Sequence, residues 1–377
     1  MSVKVSMSAT IMAHPGRAEA ADEIASKLTE IPVRVVFDPD PTGPRSTVRT
    51  ARDAWVPWVN GATHHLVLQD DITLLPEFES RLEAAVSAQP QSLLSLFSEW
   101  GSFNAHATRV GVFAGTPWVE PANMYIPTNA AIAPVAVAED FAQYLRGIPL
   151  DVPDDEALYS FAARSGIRCL IAIPNLIQHD SGALSLSGNI SHGLRRASVV
   201  DRTVLKSDYW ESPPLASLVS VPGIDWRTGL EVLRYRDSTK SPHWRVRKPS
   251  EACIVLYPDV SALLVKAQAQ LVRTSVESRE IGAALCDASS ALVKQFLTGF
   301  SHRLDGSSLI SREQTQMAIA TFVPGSMRIR LPALTRTILR ETEIILLQLI
   351  ADVEKIMECP NGVSFGSKRA SGSRSTN

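Results

Sequence analysis

An α/β architecture, with a mostly parallel sheet flanked by helices and a mainly α-helical C-terminal region behind it, is the fold class the sequence predicts. Three observations point there. Strand-like and helix-like stretches alternate through about the first 200 residues. Within them, Leu66, Val67 and Leu68 read as a short strand buried on both faces. From about Ser261 onward, apolar residues recur at helical spacing.

Taken in order, Val5–Met12 is a first strand and Pro15–Leu28 a helix rich in Ala and Glu. Val33–Asp38 makes a second strand, closed by the Pro/Gly-rich PDPTGPRS. A helix from Ser46 runs at least to Pro57. The stretch HHLVLQDDITLLPEF (His64–Phe78) follows, and Pro76 suits the first turn of a helix over Pro76–Gln89, where its missing N–H costs nothing. Ser92–Glu99 and Met124–Val135 are further strands, and Ala138–Gly147 is a short helix. Asp154–Gly166 is a helix with Gly166 as its stop, and Ile167–Pro174 another strand. Residues 197–250 are rich in Pro, Ser, Trp and Arg and predict an irregular connection with one small helix. Leu285, Ala288, Leu292 and Phe296, then Ile345, Leu349, Val353 and Ile356, form core or partner-facing stripes. PNGVSFGSKRASGSRSTN has the composition of a disordered tail. The expected organisation is an α/β domain at 1–196, an irregular connection at 197–256, a helical domain at 257–358 for acceptor contact or oligomerisation, and a tail at 359–377.

Composition narrows the function classes. A chain of 377 residues has room for two domains. A formal net charge of −2 gives no global pull toward nucleic acid or anionic membrane. Cys169, Cys253, Cys286 and Cys359 lie far apart with no C-x-x-C pair, which argues against a zinc site or a disulfide framework and for a reducing compartment. The N-terminus reads as a strand, not a signal peptide, and Ile344–Val353 is too short and too polar to span a bilayer. A soluble, cytoplasmic protein is expected.

The chemistry centres on Gln69-Asp70-Asp71. Acids at the carboxyl end of a buried strand sit where open α/β sheets bind ligands; the alternative is a turn or a cap for the following helix. This layout resembles the GT-A glycosyltransferases, which move a sugar from a nucleotide-sugar donor, with QDD as a variant of their D-x-D motif. Gln69 departs from the pattern by removing one charged ligand. The resemblance covers roughly residues 5–195 and implies Mn²⁺ or Mg²⁺ held by Asp71, with Asp70 near the ribose or the metal. A hard divalent ion of this kind prefers carboxylate oxygen and leaves room for phosphate oxygens in its shell. The resemblance further implies donor contacts from Ala13, His14 and Arg17 after the first strand, from Asp38 after the second, and from Arg49 and Arg52 on the intervening helix. A UDP-sugar is the favoured donor. His179, at the end of a strand in IPNLIQHDSGALSLSGN, completes the metal shell by the same resemblance.

Asp154, Asp155 and Glu156 open a helix, where acids also suit the dipole. By resemblance to inverting enzymes, Asp155, and less so Asp154, is the candidate general base for an acceptor hydroxyl. Trp118 and Glu120 are candidate acceptor contacts, Trp rings stacking well on sugars. The acceptor itself is not identified. Competing readings are a nucleotidyltransferase, for which AHPGRAEAADEI lacks the Gly-rich loop with Lys, and a non-catalytic nucleotide-binding or helical assembly protein that self-associates through its C-terminal helices. Lys240–Lys248, KSPHWRVRK, is a weaker pointer to an anionic partner or nucleic acid.

Overall fold

The computed structural model describes residues 5–179, 194–203, 205–206, 208–248, 256–275, 278–303, 312–328 and 334–358. Cys253, Cys359, the Ser/Gly-rich loop after His179 and the C-terminal tail lie outside these residues; Cys169 and Cys286 are free thiols. Nine strands precede residue 180: β1 (Met7–Ala13), β2 (Val33–Phe37), β3 (His64–Gln69), β4 (Ile72–Leu74), β5 (Leu93–Ser95), β6 (Trp118–Val119), β7 (Ala130–Pro134), β8 (Cys169–Ala172) and β9 (Ile177–His179). Seven form one sheet in the order β2-β1-β3-β7-β5-β8-β6. β2, β1, β3, β5 and β8 point the same way; β7 and β6 run against them. β4 and β9 form a separate antiparallel pair.

Side-chain alternation explains why this sheet is covered twice. Ala9, Ile11, Leu66, Leu68, Ala130 and Ile132 pack on one face with α1 (Ala18–Ser26) and α3 (Phe78–Ala88). Met12, Val67, Ala131 and Ala133 pack on the other with α2 (Thr47–Ala54), α5 (Val135–Leu145) and α6 (Asp154–Ser165). Successive residues of a strand serve opposite faces, so both sets must be apolar, and the strands read as continuous hydrophobic runs.

One helix carries no amphipathic signal. α4 (Phe103–Ala114) is buried at every position, including His106 and Arg109. A helix enclosed on all sides shows no polar face in its sequence, and residues 103–114 gave none.

Residues 220–247 are more regular than expected. They form a three-stranded antiparallel sheet, β10 (Ser220–Asp225), β11 (Leu230–Tyr235) and β12 (Arg245–Arg247), in that order. Pro222 and Gly223 mask β10 in the sequence, yet β10 is an edge strand, where a proline's missing donor is tolerated. Trp244, in the basic KSPHWRVRK stretch, is buried beneath the Arg236 guanidinium and does not offer its ring for stacking.

The C-terminal helices are α7 (Pro258–Thr274), α8 (Arg279–Phe300), α9 (Arg312–Ala320), α10 (Phe322–Ser326) and α11 (Arg336–Glu358). The stripe Leu285, Ala288, Leu292 and Phe296 is buried in a core that also takes in Val110 and Phe113 of α4 and Val221 and Ile224 of β10. Leu349 and Val353 are buried in the same core, with Ile345 and Ile356 partly buried against it. Polar ties reinforce the junction. Arg109 donates to the Ala318 and Trp100 carbonyls, and Gln295 donates to Pro222 and contacts His106. No helix among the described residues is long and apolar enough to cross a membrane.

α8 crosses α4 so closely that a Cβ at Gly299 would lie 2.5 Å from the Val110 carbonyl oxygen and 2.6 Å from the Phe113 Cβ. Backbone cannot yield as a flexible side chain can. Gly299→Ala is expected to destabilise the protein by about 1–3 kcal/mol, measured by urea unfolding, whereas the same change at exposed Gly147 should be nearly silent.

Candidate functional site

The carboxyl ends of β1, β2 and β3 open into a cavity of about 580 Å³, a volume typical of small-molecule sites. Its floor and near wall include Ala13, His14, Arg17, Asp38, Asp70, Asp71 and His179. Its far wall includes Asp154, Asp155 and Glu156 from the start of α6, and the roof includes Trp226, Arg227 and Arg234 from the β10–β11 hairpin.

β3 delivers the two aspartates at its last turn. Asp70 turns back toward β1: it accepts hydrogen bonds from the His14 backbone N–H (2.7 Å) and from Arg17 (2.8 Å). Burial still drives its pKa upward against those donors. Asp71 points the other way. The chain reverses at once into β4, and the β4–β9 register sets Ile72 opposite His179, so the imidazole Nε2 lies 3.2 Å from Asp71 Oδ2. The two are close but not aligned as a hydrogen bond: both ring nitrogens of His179, and Asp71 Oδ1, are buried without a hydrogen-bond partner among the described residues. Burial works to raise the Asp71 carboxyl; His179, Arg195 and Arg17 together outweigh it, and the net direction is down. A low-pKa carboxylate beside an unengaged imidazole fits a divalent cation. Among the described residues no group of three or more His, Cys, Asp or Glu side chains gathers as a metal site, so these two protein ligands would leave most of the shell to a bound molecule's oxygens.

Gln69 takes no part in that pair. Its amide joins Thr128 (3.3 Å) and Asn129 (3.0 Å) and stitches β3 to the start of β7. A third carboxylate here would bring like charge to a crowded site.

Asp38 faces the cavity with both oxygens taken by Arg49, at 2.6 and 2.8 Å, and this fork draws its pKa down. Arg49 therefore acts behind Asp38 and does not line the cavity. Arg52 is also removed from it: its guanidinium donates to the Leu145 and Ile148 carbonyls and closes the C-terminus of α5. Trp118 and Glu120 lie elsewhere as well. Trp118 is fully buried, its indole donating to the Trp210 carbonyl, and Glu120 pairs with Arg236 and Ser217 behind the small sheet. The reason is β6, itself the far edge strand of the sheet, which pairs with β8 and is covered by residues 210–218.

Among the acids of α6, Asp155 Oδ1 accepts from the Glu156 backbone N–H in the first turn (2.8 Å), but none of them occupies the N-cap. Pro153 occupies the N-cap, and Asp154 donates its backbone N–H to Thr47 Oγ1. The Asp154 carboxyl is buried with one oxygen unpartnered, and burial pushes it up. Asp155 is raised to about 7, first by burial and then by the neighbouring Asp154.

Several lining residues were not evident in the sequence: Glu99, Tyr125, Arg195, Trp226, Arg227, Arg234 and Arg328. Arg328 pairs with Glu99 and lies over the Trp226 ring. The clue available was Thr228-Gly229 between two alternating runs, a hairpin signal inside the stretch taken as irregular. No protein-family model matches the sequence, and no curated protein does.

A carboxyl whose folded pKa exceeds its unfolded value near 4 costs stability as pH rises from about 4 to about 7, because only the unfolded chain is free to ionise it. Asp155→Asn is therefore expected to raise the thermal midpoint at pH 8 and to leave it nearly unchanged at pH 4. Asp154→Asn should lower the pH at which Asp155 titrates, read by carbon-13 NMR of labelled aspartate.

Proposed function

We propose that this protein is a metal-dependent glycosyltransferase of the GT-A type, moving a sugar from a nucleoside-diphosphate donor to an acceptor hydroxyl with inversion. The observation that carries this is the Asp71–His179 pair, buried, 3.2 Å apart and short of hydrogen-bond partners, at the strand ends of a mostly parallel sheet. Asp155 in the same cavity gives the second half of the chemistry. The location argument is general: open α/β sheets bind ligands beyond their strands' carboxyl ends.

Asp71 and His179 would hold Mn²⁺ or Mg²⁺, which when bound supplies Lewis-acid charge to the departing diphosphate. Arg17, within reach of Asp70 and Asp71, adds fixed positive charge at the same end. Ala13, His14 and Asp38, the last held from behind by Arg49, line the side of the cavity assigned to the nucleoside. At the other end Asp155 takes the proton of the acceptor hydroxyl. The acceptor oxygen then bonds to the anomeric carbon from the face opposite the diphosphate, and the anomeric C–O bond breaks with its electron pair leaving on the diphosphate. A base titrating near 7 is half-ionised at neutral pH and still strong enough to take the proton.

The nucleotidyltransferase alternative gains nothing from the cavity floor, where the β1 turn carries His14 and Arg17 but no lysine. The assembly alternative draws on Val265, Val272 and Ile344, exposed on α7 and α11.

Thermal unfolding with UDP, GDP and dTDP, each with and without Mn²⁺, tests the donor site. A ligand at a hundredfold excess over its Kd stabilises by about 2.7 kcal/mol, so one nucleotide should raise the midpoint in a Mn²⁺-dependent way, and Asp71→Ala should abolish the rise. Absence of any shift from folded protein would refute the donor site and favour a helical assembly protein. With the donor known, Asp155→Asn is expected to lower kcat by roughly 10²–10⁴-fold while leaving the nucleotide shift intact, and wild-type kcat/KM should climb with pH to a plateau above about 7.

A further inference from the structure

The cations lining the cavity are matched to carboxylates unevenly. Arg17 has Asp70 and Asp71, and Arg328 has Glu99. Arg234 of β11 has no carboxylate partner among the described residues, and its Nε is buried without any hydrogen-bond partner. Its guanidinium lies 5.3 Å from the Phe103 ring centroid, and both residues line the cavity. A stacked ring orients a guanidinium and leaves its in-plane N–H donors for a planar or tetrahedral oxyanion.

Its position is on the side of Asp155. The loop after β11 touches α6, where the Tyr159 hydroxyl donates to the Pro242 carbonyl one turn beyond Asp155. Arg234 lies near Tyr159 and Tyr125, and Ile126, next to Tyr125, donates its backbone N–H to the Asp155 carbonyl (3.1 Å). At the opposite end the donor diphosphate would have Arg17 and the cation that Asp71 and His179 would hold. Arg234 is half-buried, its Nε fully so, and a cation partly withdrawn from water without a counter-charge is costly; burial lowers its pKa.

We infer that Arg234 binds an anionic group carried by the acceptor, a carboxylate or a phosphate, and so orients the acceptor hydroxyl toward Asp155. The inference rests on the glycosyltransferase reading for the word acceptor; the anion site itself does not. Arg227, on the hairpin turn of the same sheet and 4.9 Å from the Trp226 ring centroid, adds positive charge at the entrance.

The test is titration calorimetry on the full chain, alone and saturated with UDP and Mn²⁺, using paired probes: methyl glucuronide against methyl glucoside, and glycerol 3-phosphate against glycerol. One anion of the two pairs should bind at least roughly tenfold more tightly than its neutral parent, with UDP and Mn²⁺ already present. Arg234→Gln should erase that preference and Arg234→Lys should keep part of it, while the UDP titration is unchanged in both. Which pair discriminates tells carboxylate from phosphate. If neither anion is preferred by wild-type protein, or if Arg234→Gln retains the preference, the inference is overturned, and the wild-type comparison decides this even where a variant fails to fold. An anion competing with UDP would place the charge in the donor subsite and overturn it too. Failure of UDP to bind, with an Arg234-dependent anion preference intact, would instead remove the glycosyltransferase reading and leave the anion site standing.

Discussion

A carboxylate withdrawn from water has to be met by a cation or by a proton, and the cavity beyond the central sheet is organised around that requirement. Asp38 is met by the Arg49 fork, Asp70 by Arg17 and a backbone N–H, and Glu99 by Arg328. Asp154 and Asp155 have no such counter-charge, and burial favours the proton instead. Asp71 stands apart: its carboxylate is stabilised in the ionised state, yet among the described residues one of its oxygens has no hydrogen-bond partner, and neither has the imidazole 3.2 Å from the other. One kind of side chain thus takes three chemical states within one cavity, according to what the fold sets beside it.

The supporting structure follows from the same need. Buried arginines must be anchored by groups distant in sequence. Arg328 reaches Glu99 from beyond α10, and Arg109 bonds to Ala318 from inside α4. The C-terminal helices share one core with α4 and the small sheet, and Arg328, just past α10, reaches the cavity wall from among them. The close approach at Gly299 lets this happen: helices that cross so tightly leave no water layer between the two halves of the core.

Much of the sheet was legible because its signals are local. Continuous apolar runs, Gly166 as a helix stop and the acids at a strand's end all act through neighbours in the chain. Asp70, Asp71, His14, Arg17, Asp38, Asp154, Asp155 and His179 all line the cavity, each sitting just past a strand or at a helix start where the alternating pattern would put it. Arg52 and Trp118 went elsewhere because a charge on a helix and a ring on a two-residue strand say nothing local about which way they face: Arg52 closes α5, and Trp118 fills the core beside Trp210.

By itself, then, the sequence determined the α/β class, the strand ends that carry the acids and the helical stripes at the C-terminus, because hydrophobic periodicity and backbone-breaking residues operate over a few positions. Only the tertiary structure decided which charges meet. The β4–β9 register that brings His179 to Asp71, the roof supplied by residues 220–247 and the neighbouring charges that separate Asp71 from Asp155 in proton affinity, both being desolvated, depend on segments tens to hundreds of residues apart. Electrostatic environment is set by every neighbour in space, and a linear chain records none of them until it folds.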